Sequence, residues 1–309
     1  MREKRRAYQP ILDSLQQRWP ADVLLWMDGN EAVLYQTYPY VLRSAFPAVG
    51  DRDVQTLAMA CRMFFESVIL ADGIVDDHCE EDPGHLYLRT VAMQYEAYRL
   101  FQALFPPDVG FWDRFRTILV AYATACARER RFRTGAERRA GLTRDVALEI
   151  ALGKYPFGRI AAYGMAELAR DAGPLDALAR SIEQFDLASY YWDDLTDWRK
   201  DIADRTPSLT IGYVLDAYPQ LRGEDLAANA DEFARALYYG RVAELLLQTG
   251  IEHLDRARAL VADLAVDDWR AWLASFRADF VAQHREIKQI VERNLCGPAV
   301  RAQRELTVP

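Results

Sequence analysis

The chain has 309 residues, 51% hydrophobic and 27% charged, the balance of a soluble globular protein with enough apolar side chains for a sizeable core. Its 38 basic residues against 46 acidic ones leave a formal charge of −8, which disfavours a broad nucleic-acid footprint or attachment to an anionic membrane and means that an anionic ligand needs metal. Cys61, Cys79, Cys126 and Cys296 are scattered without a CxxC pair, so neither a disulfide framework nor a structural zinc site is expected, and a reducing cytoplasm suits the chain.

At the N-terminus Met1-Arg2-Glu3-Lys4-Arg5-Arg6 is basic but is followed by no apolar run, and no stretch approaches the roughly 18 uncharged apolar residues of a membrane span. Apolar residues recur at spacings of three and four, and strict alternation is rare, so the expected class is all-α. Helices are expected at about 8–19, 30–46, 52–78, 84–105, 109–133, 143–153, 157–172, 174–202, 207–217, 224–249, 251–263 and 267–294. Asp51 is placed to cap the third of these, Pro83-Gly84 to end it, Pro106-Pro107-Asp108 to separate the next two, and Gly173-Pro174 to supply a C′ glycine and an N1 proline. No Gly-, Ser- or Pro-rich linker and no internal repeat divides the chain, so residues 1–309 are expected to form a single helical bundle.

Two acidic clusters stand out along this pattern. Asp72-Gly73-Ile74-Val75-Asp76-Asp77 and Asp193-Asp194-Leu195-Thr196-Asp197-Trp198-Arg199-Lys200-Asp201 both align carboxylates on one side of a helix. At about 100° per residue, Asp72 and Asp76 lie about 40° apart and Asp193, Asp197 and Asp201 spread over about 80°. Each row extends an apolar stripe: Ala58, Cys61, Phe65 and Val68 lead to Asp72, while Leu175, Ala179 and Ile182 lead through Asp186 and Tyr190 to Asp193. Oxygen-only ligands suit Mg²⁺, which keeps several waters and completes its shell with substrate phosphates. If the two helices face each other, their stripes line an apolar cavity with carboxylates at its mouth. A prenyl diphosphate, with an anionic head and a hydrocarbon tail, is the ligand such a site suits. Phe64, Phe65, Phe157, Tyr190, Tyr191 and Trp192 are aromatic candidates for steadying a carbocation.

These residues resemble the class I terpenoid synthases, an all-helical group that includes terpene cyclases, prenyl elongases and head-to-head coupling enzymes. The segment from Asp193 to Asp201 is similar to the cyclases' second metal motif, (N/D)Dxx(S/T/D)xxxE, with Asp201 in place of the usual Glu and Lys200 at a position often basic. Asp72-Gly73-Ile74-Val75-Asp76 resembles DDxxD with its second acid lost, and with Asp77 also the DDIVDE string of squalene and phytoene synthases; a shifted frame, Asp76-Asp77-His78-Cys79-Glu80, reads DDxxE. The resemblance implies a bundle with a central apolar cavity, Mg²⁺ held by Asp72, Asp76, Asp77, Asp193, Asp197 and Asp201, and three ions with substrate bound. It implies diphosphate contacts from Lys154, Arg159 and Lys200, and a substrate tail near Phe65, Val68, Phe157 and Tyr190. The activity implied is that of a carbon–oxygen lyase that ionises a linear prenyl diphosphate, cyclises or rearranges the cation and releases pyrophosphate, with a homodimer compatible. The Arg-Tyr pair of many cyclases near the C-terminus is absent, and so is the elongases' N-terminal glycine–lysine–arginine–proline signature, which disfavours elongation.

The alternatives are a head-to-head prenyl synthase and a non-catalytic helical scaffold or ligand carrier whose acids are ordinary surface. The basic run Arg128-Glu129-Arg130-Arg131-Phe132-Arg133 reads as a solvated helix end, and His78, Cys79 and His85 do not make a zinc pattern. No GxSxG, GxGxxG or P-loop is present.

Overall fold

The structure is a computed structural model that describes residues 32–75, 82–137 and 141–295, and all regular structure among them is helical. Eleven α-helices follow in order: α1 Ala32–Val41, α2 Asp51–Val75, α3 Pro83–Leu104, α4 Gly110–Arg133, α5 Arg144–Lys154, α6 Gly158–Ala169, α7 Leu175–Asp204, α8 Leu209–Ala217, α9 Ala230–Tyr238, α10 Val242–Leu260 and α11 Asp267–Leu295. Short 3₁₀ turns at Arg43–Ala45 and Pro219–Gly223 follow α1 and α8. The helix expected at about 8–19 lies outside the described residues, as do Asp76 and Asp77. No helix among the described residues is long and apolar enough to cross a membrane.

Several breaks fall elsewhere than punctuation alone suggests. Pro83 opens α3 at its N1 position, with Asp82 as the N-cap whose Oδ1 accepts from the His85 amide at 2.8 Å. At the end of α6 the left-handed residue is Arg170 (φ 52°), not Gly173, whose amide instead donates to Asp171 Oδ1. The long helix expected over 224–249 is divided at 239–241, and Gly250 lies inside α10. Gly240 fits because a Cβ there would meet Tyr218 Oη at 2.0 Å and the Ala236 carbonyl at 2.3 Å, and Arg241 turns the chain with φ 62°. A glycine's role is set by its neighbours in space, which periodicity does not report.

The chain groups into two compact units. Unit 1 comprises residues up to Val120 with Pro156–Glu183 and Ala257–Ser275, and unit 2 comprises Ala121–Tyr155, Gln184–Arg256 and the residues from Phe276 on. In unit 1 Phe64 packs edge-on against Phe101, Phe115 and Phe157, while Phe105 stacks on Phe111 with centroids 4.0 Å apart. A chain of buried polar atoms crosses this core: Trp269 Nε1 donates to Ser181 Oγ (2.9 Å), which donates to the Ala257 carbonyl (2.8 Å). In unit 2 Trp192, Phe276 and Phe280 cluster, and Trp198 stacks on Phe233. His253 stacks on Tyr191, and its Nδ1 lies 2.8 Å from Gln184 Oε1.

Two outcomes follow from this packing. A Cβ at Gly250 would sit 2.2 Å from Cε1 of the fully buried Phe280, so G250A is expected to cost about 1–3 kcal/mol, measured by urea unfolding. Burial and the nearby Arg256 lower His253 from 6.5 to about 4. The unfolded chain therefore binds the extra proton first, and the contribution of His253 to stability rises with pH between about 4 and 6.5 and is fully present above that window. The raised Asp194 and Asp201 carboxyls run the opposite way over the same window, so the readout is a difference: the urea midpoint of the unaltered chain minus that of H253Q should be larger at pH 7 than at pH 4.5.

Candidate active site

α7 runs for 30 residues without proline or glycine, which lets an apolar first half continue into an acidic second half on one side. Leu175, Leu178, Ile182, Phe185 and Leu195 are buried, and so is Asp186 on the stripe that leads to the acidic row. The helix closes at Arg205, a left-handed residue (φ 57°), with the Thr206 amide donating back to the Asp201 carbonyl at 2.8 Å. Pro207 then turns the chain into α8, whose N-terminus comes back to α7. Ser208 caps α8, its Oγ accepting from the Ile211 amide. Asp194 Oδ2 accepts from the Leu209 amide at 2.5 Å, so a buried carboxylate meets the positive end of α8.

The electrostatics follow from that placement. Burial, and then the charge of Asp201, push the Asp194 carboxyl well above the usual carboxylate range, while the Leu209 amide and Lys154 hold it back. Burial pushes Asp201 up to about 7, with Asp197 and Glu129 adding to the rise and the Ser208 hydroxyl and Lys200 opposing it. Tyr190, edge-on to Tyr155 at 4.6 Å, is raised by burial and by Asp194 and Glu129. Unit 2 thus gathers Asp194, Asp201, Tyr190, Tyr155, Ser208, Glu129 and Lys154 into one cluster of interacting polar side chains.

The expected ligands divide between the units. Asp193 is half-buried, Asp197 is exposed, and Asp201 is half-buried with an Oδ2 that is inaccessible and has no hydrogen-bond partner among the described residues. Asp72 is half-buried near the end of α2 in unit 1, where Ala58, Cys61, Phe65 and Val68 form a buried stripe along the helix. Lys154 is bonded to Glu129 Oε2 at 2.5 Å, Arg159 Nη1 to Glu183 Oε2 at 2.9 Å, and Lys200, 64% exposed, lies 3.3 Å from Asp204. Phe65 stacks on Tyr35 at 3.5 Å and meets Phe157 edge-on, so both belong to the aromatic core of unit 1. Asp194, Ser208 and Glu129 are not among the expected site residues; the Pro207-Ser208 cap is a readable signal, whereas the burial of Glu129 inside an arginine run is not.

The donor set fits a hard divalent cation in part. It is all oxygen, and an inaccessible carboxylate oxygen without a donor, in a cluster whose carboxyls are raised by burial and mutual repulsion, is stabilised by positive charge. Among the described residues no three His, Cys, Asp or Glu side chains form a metal-holding group by themselves. An ion here would therefore draw the rest of its shell from water and ligand oxygens.

No family model and no curated protein matches the chain, but solved structures do. It is similar to a polyprenyl synthase from Caulobacter crescentus CB15 complexed with calcium and isoprenyl diphosphate (TM-score 0.66, 16% identity, 89% of this chain and 93% of that one). It is likewise similar to a geranylgeranyl pyrophosphate synthetase from Pyrococcus horikoshii Ot3 (0.67, 14%, 89% and 98%) and a polyprenyl synthetase from Streptomyces coelicolor A3(2) (0.66, 18%, 89% and 98%). At these identities the likeness establishes the all-α isoprenoid synthase fold.

Asp194 should separate structure from ligand binding. D194A removes the acceptor at the start of α8 and is expected to lower stability by about 1 kcal/mol or more, whereas D194N keeps an acceptor and removes a disfavoured charge. Thermal melts of the two variants give the comparison.

Proposed function

We propose that this protein is a metal-dependent enzyme that ionises a prenyl diphosphate. The observation that carries the reading is the acidic row at the end of α7, in a fold shared with prenyl diphosphate synthases, with the inaccessible Asp201 oxygen calling for a cation. The Caulobacter synthase, complexed with calcium and isoprenyl diphosphate, supports the same ligand class here.

In this reading Asp193, Asp197 and Asp201 would hold Mg²⁺, and Asp72, Asp76 and Asp77 are proposed as metal ligands of the first acidic motif. When bound, the metal supplies Lewis acidity that neutralises charge on the diphosphate as the allylic C–O bond breaks. Lys154, Arg159 and Lys200 bind the phosphate oxygens and orient the leaving group. The Asp201 carboxyl, pushed up by burial, would give up its proton on metal loading, so metal affinity is expected to rise with pH. The cation then cyclises or rearranges and ends by losing a proton or capturing water, as the cyclase-like second motif suggests.

Chain elongation is the second reading, favoured by the polyprenyl and geranylgeranyl synthases that share the fold. The chain's lack of the elongases' N-terminal signature stands against it.

Incubation with C10, C15 and C20 prenyl diphosphates plus Mg²⁺, with and without isopentenyl diphosphate, followed by mass spectrometry, decides among them. A product of unchanged carbon number supports cyclisation, growth by five carbons elongation, and doubling head-to-head coupling. D72A is expected to abolish turnover. Absence of pyrophosphate release from every substrate, with no rise in melting temperature on adding Mg²⁺ and diphosphate, would leave the scaffold reading in its place.

A further inference from the structure

In the basic run at the end of α4 the buried residues are Phe132 and, unexpectedly for a charge, Glu129. Arg130 and Arg131 are exposed, whereas Glu129 is 6% exposed. Glu129 is bonded to Lys154 through a pair whose side chains are 8% and 13% exposed. A bare carboxylate or ammonium at such depth is costly, so each stabilises the other's charge.

What brings them together is a steric contact one turn away. A Cβ on Gly153 would lie 2.5 Å from Ala125 Cβ and 3.1 Å from the Ala121 carbonyl, so α4 and α5 touch backbone to backbone there. Ala125 and Glu129 are four residues apart on α4 and share a face, and Lys154 follows Gly153 directly. The close approach at 153 therefore fixes the distance at which the long side chains meet. Tyr155, next in the chain to Lys154, meets Tyr190 of α7 edge-on at 4.6 Å, which sets this end of α5 against the helix that carries the acidic row.

We propose that Glu129 is a positioning residue of this site, holding the Lys154 ammonium aimed for the diphosphate. The inference rests on the prenyl diphosphate reading above. An ammonium has three N–H donors in tetrahedral array, so it can keep its bond to a carboxylate while donating to a phosphate oxygen. Glu129 thus acts through Lys154 and touches no substrate atom, and Gly153 matters to ligand binding although it carries no side chain.

The test is a double-variant cycle on the full chain, read as binding of inorganic pyrophosphate in the presence of Mg²⁺. E129Q is expected to weaken binding about tenfold or more. E129D, which keeps the charge, should recover part of that loss, and E129Q/K154M should bind no more weakly than K154M alone. Binding by E129Q equal to that of the unaltered chain overturns the role, as does a further loss when Glu129 is changed in the K154M background. Should E129Q or K154M fail to fold, E129D against the unaltered chain still decides, because it keeps the charge pair and only draws the carboxylate back: weaker pyrophosphate binding is expected, and unchanged binding overturns the role. Failure of the unaltered chain to bind Mg²⁺ and pyrophosphate overturns the function reading itself, which distinguishes the two failures.

Discussion

Carboxylates set side by side at the end of a helix repel one another, and burying them adds the loss of water to that repulsion. Unit 2 is organised around this conflict. Asp194 is relieved by the Leu209 amide at the positive end of α8, and Asp201 by the Ser208 hydroxyl. Both partners arrive because α7 ends in a left-handed residue at Arg205 that returns the chain on itself. The relief is incomplete: burial and neighbouring carboxyls leave Asp194 and Asp201 raised, so nearby positive charge would stabilise their ionised forms.

Apolar packing makes the conflict sustainable. Trp192, Phe276 and Phe280 on one side of α7, and Tyr191 with His253 on another, hold the helix by burial that owes nothing to charge. α7 can then carry acids along its remaining side without bending away from them. The same division between an apolar support and a polar face runs through α2, where buried Cys61, Phe65 and Val68 precede Asp72.

Much of this is legible in the sequence. The spacing of Asp193, Asp197 and Asp201 identifies one face of one helix, and the helix is there over its expected span. Class and most element boundaries follow from apolar periodicity, since a 3.6-residue repeat has few other solutions. Less legible is anything decided by contact across the chain. Gly240 and Gly250 have the same local character, yet one ends a helix and the other accommodates a phenyl ring inside one. Glu129 looks like part of a solvated run because charge composition does not say which residue of a run turns inward. Asp194 looks like a neighbour of the ligand row, and its bond to Leu209 depends on a reversal of direction that only the folded backbone displays. Phe65 and Phe157, chosen for a substrate tail, pack with Tyr35 and Phe64.

The contact between Gly153 and Ala125 has a consequence for how such a protein can vary. Where two backbones touch, bulk and charge cease to be separate properties: a single methyl group added at that point changes the spacing on which an ion pair one turn along depends. Substitutions there would strain the packing of α4 on α5 and shift that ion pair in the same movement, so this seam ties the stability of the two helices to the electrostatics between them.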